Sequence, residues 1–240
     1  MVSSWAQEWL VSESSFHSSA DGKKGIVNDM EHLREIKNFK NRGSDGEHVD
    51  AIQQYFYSVQ NGIALELGAV DGTKISETRA FAEYLGWRRI LVEADPTYRN
   101  ALGQKMNTFS VNAAICNKTR ELHYIRRNMI GGILEFFSET QVQKEFPALL
   151  KYRRGASEWD WKGIERDGVH LGEIAPVHCI RLTSVFERAK VNHVDLLVLD
   201  TEGSELDVLE SIDFQKTTFS VIVVETESVF RSPDFSAKVT

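Results

Sequence analysis

The 240-residue chain has only two cysteines, Cys116 and Cys179. Two are too few for a disulfide scaffold or a cysteine zinc site. Each lies within an apolar, strand-like run, which predicts two buried free thiols. The four prolines exclude Pro-rich low complexity. No apolar run approaches the roughly 20 residues that a membrane span needs. Residues 1–16 lack a basic start followed by an apolar stretch, because Glu8 interrupts the apolar cluster, so no secretory signal is expected. Basic residues are also short: 28 Lys and Arg face 35 Asp and Glu, a formal charge of −7. Nucleic acids and anionic membranes repel such a surface. These absences predict a cytoplasmic protein with no membrane span and no nucleic-acid partner.

What is present is core material. Hydrophobic residues make up 42% of the chain, and a chain of this size buries roughly 70–75% of its unfolded surface. Residues 1–47 are rich in Ser, Asn, Lys and Gly. Within them Ile26, Met30, Leu33, Ile36 and Phe39 recur at helical spacing, and Asn41, Gly43 and Gly46 end the pattern. This predicts an N-terminal arm (a loose tail, a docking helix and a linker) ahead of one domain over residues 48–240.

That domain alternates strands and helices. The pattern predicts a short helix over residues 49–59 and a strand over 63–68. A helix over 76–85 follows, with Ser76 able to cap it and Gly86 to end it. Then come a strand over 89–93, a helix over 96–106 begun by Pro96, and a strand over 109–116. Weaker strands fall at 122–125 and 177–182. Strands at 194–199 and 220–225 read as fully buried, with a helix at 204–212 between them. Such alternation argues a parallel sheet in an α/β fold.

Open parallel sheets bind ligands at the carboxyl ends of their strands. Here every such end is small or acidic: Glu66-Leu67-Gly68-Ala69-Val70-Asp71-Gly72, Glu93-Ala94-Asp95-Pro96, Asn112-Ala113-Ala114 and Asp200-Thr201-Glu202-Gly203. Any one of these is compatible with plain turn chemistry. Four in order point to a nucleoside site. Gly68 lets backbone approach a ligand closely. Glu93 follows at about the 20-residue spacing of a ribose-binding carboxylate. The further glycines of a pyrophosphate loop are missing, which disfavours a nicotinamide-dependent oxidoreductase. An acidic first loop suits a cationic ligand without phosphates, and S-adenosylmethionine fits.

These residues resemble the FkbM-type methyltransferases. The resemblance rests on Leu65 to Gly72, on Ser76-Glu77-Thr78, on Leu85-Gly86-Trp87 and on Leu91 to Pro96. It extends to Asn112 to Ile115 and to Val194 to Glu205, which carries an Asp-x-Glu-Gly-x-Glu signature. It spans roughly residues 49–226 and implies a Rossmann-like methyltransferase fold: a mostly parallel sheet with helices on both faces, shortened at the C-terminus. It also implies S-adenosylmethionine-dependent methylation, usually of an oxygen. Carried over, Glu66 and Gly68 to Gly72, including Ala69 and Asp71, line the methionine and ribose. Glu93 holds the ribose hydroxyls, with Ala94 and Asp95 beside the adenine, and Asn112 and Ala113 touch the adenine ring. Ser76 and Thr78 stand at a helix start near the cofactor. Asp200 and Glu202 face the reacting centre or the methionine.

An alcohol acceptor needs a base or a metal to lose its proton. The candidates are Asp200, Glu202, Glu225, His170 and His178, with Asp200, Glu202 and His170 foremost. No dedicated metal-ligand spacing is visible. Residues 126–175 form a long insertion holding Met129, Phe136, Phe137, Trp159, Trp161 and His170, with a basic patch at Lys151, Arg153 and Arg154. It reads equally as a substrate lid or as a packed helical subdomain. The tail after Glu225 is too short for the usual final helix and hairpin. The expected function is O-methylation of a sugar or small-molecule hydroxyl, with oligomerisation left open. The alternative is a non-catalytic interaction or trafficking module.

Overall fold

The computed structural model describes residues 9–13, 16, 51–56, 59–105, 107–127, 130–168 and 173–225. Its architecture is α/β with mixed sheets. The strands are β1 (Leu10–Ser12), β2 (Ile63–Leu67), β3 (Arg88–Glu93), β4 (Thr108–Asn112), β5 (Ala114–Ile115), β6 (Arg120–Arg127), β7 (Ile130–Ile133), β8 (Glu173–Ile180), β9 (His193–Leu199) and β10 (Thr218–Val224). The α-helices are α1 (Arg79–Leu85), α2 (Arg99–Gly103), α3 (Glu139–Glu145), α4 (Trp161–Arg166), α5 (Leu182–Ala189) and α6 (Glu205–Glu210).

A six-stranded sheet runs β1-β4-β3-β2-β9-β10. It is parallel except for β1, which pairs antiparallel with β4. Period-two alternation explains its burial on both faces. Leu65, Leu67, Leu197 and Leu199 point into one cluster with Leu182, Val185 and Phe186 of α5 and Val208 of α6. Ala64, Leu196 and Val198 point the other way, onto Phe81 and Leu85 of α1 and onto Phe56 and Trp87. There Phe81 and Phe56 lie against Trp87 with ring centroids 4.8 and 4.9 Å away. Helices therefore cover both faces of this sheet. Gly86, at φ 67°, closes α1 in the left-handed conformation expected of it.

The second sheet, of order β5-β8-β6-β7, is mixed: β5 and β8 are parallel, and β6 is antiparallel to both its neighbours. The expected single strand over 109–116 is thus two strands in different sheets, and Ala113 is where the chain crosses between them. The apolar run was continuous because both halves are buried. The segment between β7 and β8 carries α3, a 3-10 helix Pro147–Tyr152 and α4 around its own cluster of Leu134, Phe137, Val142, Phe146, Leu149, Tyr152 and Trp159.

Several expectations need correction. Cys116 and Cys179 are not free thiols; they are disulfide-bonded across the β5–β8 pair, with Cα atoms 5.9 Å apart. Each run looked like plain core because the bond is itself buried. The start of the arm is not loose: β1 pairs with β4, and Trp9 and Phe16 are buried in the main core. The strand at 218–224 is half exposed, not fully buried, because it is the last strand of its sheet among the described residues. The helix at 182–189 was not anticipated. The docking helix of the arm, Met129, His170 and the tail after Glu225 lie outside the described residues.

Candidate active site

The carboxyl ends of β2, β3, β4 and β9 come together, and their loops are tied by side chains. The chain leaves β2 through Gly68, at φ 84°. A Cβ built there would stand 2.0 Å from the backbone oxygen of Asp200. The close approach that requires glycine is therefore the β9 loop, not a ligand. Asp200 N in turn donates to the Leu67 oxygen at 3.3 Å, so the first and last motifs are joined backbone to backbone.

Glu93, at the end of β3, shapes the loop that follows. Its Oε2 accepts from Val70 N at 2.7 Å and its Oε1 from Asp95 N at 2.7 Å. Val70 is held at φ 52°, a left-handed conformation costly for a β-branched residue. Burial raises the Glu93 carboxyl to about 7, against the pull of the Asp95 and Val70 amides. The Ala94 amide adds a further, weaker pull on the same carboxyl. The folded protein thus keeps a proton that the unfolded chain loses near the ordinary value of 4.5. This component of stability is present below pH ~4.5 and falls as pH rises to about 7, by up to about 3 kcal/mol. Urea unfolding across that window should show a shallower pH slope in Glu93→Gln; an unchanged slope would refute the assignment.

The other expected residues are placed as follows. Asp71 Oδ1 accepts from Thr73 N and Lys74 N, both at 2.8 Å, forming a turn. Gly72 N donates to the Ala69 oxygen at 2.7 Å, and Ala69 is buried. Glu66 is turned inward on the α1 side of the sheet. It accepts from Ser76 Oγ at 2.7 Å, from Thr78 Oγ1 and from Glu77 N at 3.0 Å. Burial raises its carboxyl, while Arg89 and these hydrogen bonds oppose the rise. Ser76 is not the helix cap. Thr78 holds that position, and Ser76 instead accepts from Arg89 Nη1 at 3.0 Å. Arg89 Nη2 donates to the Gly72 oxygen at 3.1 Å. Glu66, Ser76, Thr78 and Arg89 therefore form one buried brace under the loop.

Asp95 is also engaged within the protein. Its Oδ1 caps the 3-10 helix Pro96–Tyr98 through Thr97 N at 2.9 Å, and its Oδ2 accepts from Arg126 Nε at 2.7 Å. Asn112 Nδ2 donates to the backbone oxygens of Glu93 and Asp95, at 2.8 and 2.9 Å. Ala113 is buried in the main core, and Ala94 is packed against the second sheet.

Immediately after β9, Asp200 stands at the exposed rim. Desolvation of its carboxyl raises it to about 7, helped by the neighbouring carboxylates Glu225, Glu205 and Glu66. Glu202, at φ 55°, is raised by partial burial and by Asp200. Glu205 Oε1 accepts from Thr201 N and Gly203 N, both at 3.1 Å, and so folds the signature loop. His178 lies on β8 opposite Glu121, on the strand face away from Val177 and Cys179.

The insertion packs against this loop. A Cβ on Gly132 would lie 3.4 Å from Glu202 Cβ, and one on Gly203 would lie 3.5 Å from the Phe136 oxygen. Tyr124 of β6 feels the charges of Glu93 and Asp95, and its hydroxyl is raised first by burial and then by them. The basic patch is locally paired: Arg154 with Asp160 at 2.7 Å, Lys151 with Asp167 at 3.5 Å, and Arg153 over the Trp159 ring.

Sequence reasoning gave no role to Arg89, Arg126, Tyr124 or Glu205. A charged residue inside an apolar strand, as at Arg89, was the available signal. The described residues include no group of His, Cys, Asp and Glu arranged to hold a metal ion.

Acidic strand ends are thus joined backbone to backbone at Gly68 and Asp200. Residues 66–237 match the family model described as the Methyltransferase FkbM domain. The chain belongs to that family, which supports methyl transfer as its activity. No curated protein and no solved structure gives a significant match.

Proposed function

We propose that the protein is an S-adenosylmethionine-dependent methyltransferase acting on a hydroxyl of a sugar or other small molecule. The observation that carries this is the rim of carboxylates at the joined ends of β2 and β9. Asp200, Glu202, Glu205 and Glu225 interact electrostatically there, and Asp200 and Glu202 are held above their ordinary pKa values. Their negative potential suits a sulfonium and an ammonium group and repels phosphate. S-adenosylmethionine supplies a methyl group activated by its sulfonium. Glu93 takes the ribose hydroxyls, and Gly68 to Gly72 line the amino-acid end. Asp200, with a carboxyl raised to about 7, takes the acceptor hydroxyl's proton, because a base poised near the working pH is the effective one. The loop braces hold these groups still, so positioning supplies much of the rate.

Thermal shift with S-adenosylhomocysteine tests the reading. At about a hundred times its dissociation constant the product stabilises the fold by about 2.7 kcal/mol. Absence of any shift in folded protein favours the non-catalytic interaction module instead. Asp200→Asn should keep the shift and lower the rate of labelled-methyl incorporation by ~10²–10⁴-fold. Lost binding would move Asp200 to the cofactor.

Compartment is inferred from the disulfide. Among the described residues no helix is long and apolar enough to cross a membrane. Disulfides persist in oxidising environments and are rare in the cytosol, so the Cys116–Cys179 bond favours maturation in an oxidising compartment over the cytoplasm.

A further inference from the structure

The turn between β5 and β6 contains Asn117-Lys118-Thr119, the one Asn-x-Ser/Thr triplet in the chain. Neither the signature motifs nor the carboxylate rim uses it. With a residue other than proline in the middle, such a triplet is the acceptor for an N-linked glycan. Two conditions apply: the asparagine must lie at the surface, and the protein must mature in a secretory-type compartment.

The second condition is met next door. Asn117 directly follows Cys116, whose bond to Cys179 is expected only where the surroundings are oxidising. The disulfide and the triplet are chemically independent features, yet both require the same kind of compartment.

The first condition is met by the turn itself. Cys116 is fully buried. One residue later the backbone bends at Asn117 and Lys118, with Asn117 half-buried and Lys118 and Thr119 exposed. Asn117 Nδ2 donates to Glu210 Oε2 at 3.2 Å across the surface. A side-chain amide carries two N–H donors. Glu210 takes one, and the other is available for substitution without breaking that contact. Glu210 is the last residue of α6, whose first residue, Glu205, folds the signature loop. Asn117 therefore meets α6 about 8 Å along the helix from that loop. A glycan there leaves the carboxylate rim open.

We propose that Asn117 is glycosylated, the donor being an oligosaccharide carried on a polyprenyl pyrophosphate. The bond from Asn117 Nδ2 to the anomeric carbon forms as the bond from that carbon to the pyrophosphate oxygen breaks. The polyprenyl pyrophosphate leaves with the electron pair, and the Nδ2 proton passes to a base of the transferase. This rests on the reading of an oxidising compartment.

The test takes the full chain from its own cells with free thiols blocked by alkylation. Digestion with a peptide N-glycosidase in heavy-oxygen water precedes mass spectrometry of the peptide that holds both Cys116 and Asn117. The expected result is an aspartate carrying heavy oxygen at position 117, with Cys116 protected from alkylation. Thr119→Ala, made in the same cells, should lose the label and keep the disulfide. An unmodified Asn117 beside a protected Cys116 overturns the glycosylation and leaves the compartment reading standing, and a label that persists in Thr119→Ala overturns it too. Alkylated Cys116 is a separate result, which brings down the compartment reading and the proposal with it.

Discussion

Gly68→Ala is expected to destabilise the protein by about 2–6 kcal/mol and to abolish S-adenosylhomocysteine binding. Two costs combine. Gly68 sits at φ 84°, where a side chain costs about 1–3 kcal/mol. Its Cβ would also overlap the Asp200 carbonyl oxygen at 2.0 Å. The obstacle is backbone, so no rotamer change relieves it, and overpacking of this kind adds about 1–3 kcal/mol. Relief requires β2 and β9 to part where Leu67 pairs with Leu199, which opens the carboxylate rim. Gly203→Ala is the control. Its φ of 112° is also unfavourable, but the nearest atom to its Cβ lies at an ordinary 3.5 Å. It should therefore cost less, about 1–3 kcal/mol. Chemical denaturation of both variants measures the difference; equal losses would refute the role of the Asp200 contact.

Reducing the Cys116–Cys179 bond should cost about 4 kcal/mol, the loop-closure value for a cross-link over a sequence separation of 63. For a chain of this size that lowers the melting temperature by roughly 10 °C. The bond closes the crossing from the six-stranded sheet into the second sheet. Ala114 pairs with Cys179, and Cys116 N donates to the Ile180 oxygen at 3.0 Å. The Cys116→Ala, Cys179→Ala double variant should melt at the reduced temperature with or without reductant. Two titratable thiols in protein purified without reductant would show that the bond is not formed.

The residues around the site were legible to different degrees. Glu93 and Asp200 were readable as strand-end carboxylates, with Glu202 in the loop beyond, because each follows an apolar run. Their arrangement at adjacent strand ends followed from parallel pairing. The role of Gly68 was not readable, because a glycine at a strand end looks the same whether a ligand or another backbone requires it. Glu66 and Asp95 looked equally suited to a ligand. Yet Glu66 braces Ser76 and Thr78, and Asp95 holds Arg126. Local pattern carries no information on which distant donor reaches a carboxylate.

By itself the sequence determined the α/β class of the fold, the central strands β2, β3, β4, β9 and β10 with the helices that follow β2 and β9, and the acidic character of the strand ends. These depend on periodicity and on residue chemistry, which are local. Only the tertiary structure decided that the run through Ala113 serves two sheets, that the two cysteines meet, and that Leu10–Ser12 joins the sheet. It also decided which carboxylates face inward and which reach the rim. Each of those depends on contacts between residues far apart in the chain, where small differences in distance separate a core thiol from a disulfide and a brace from a binding group.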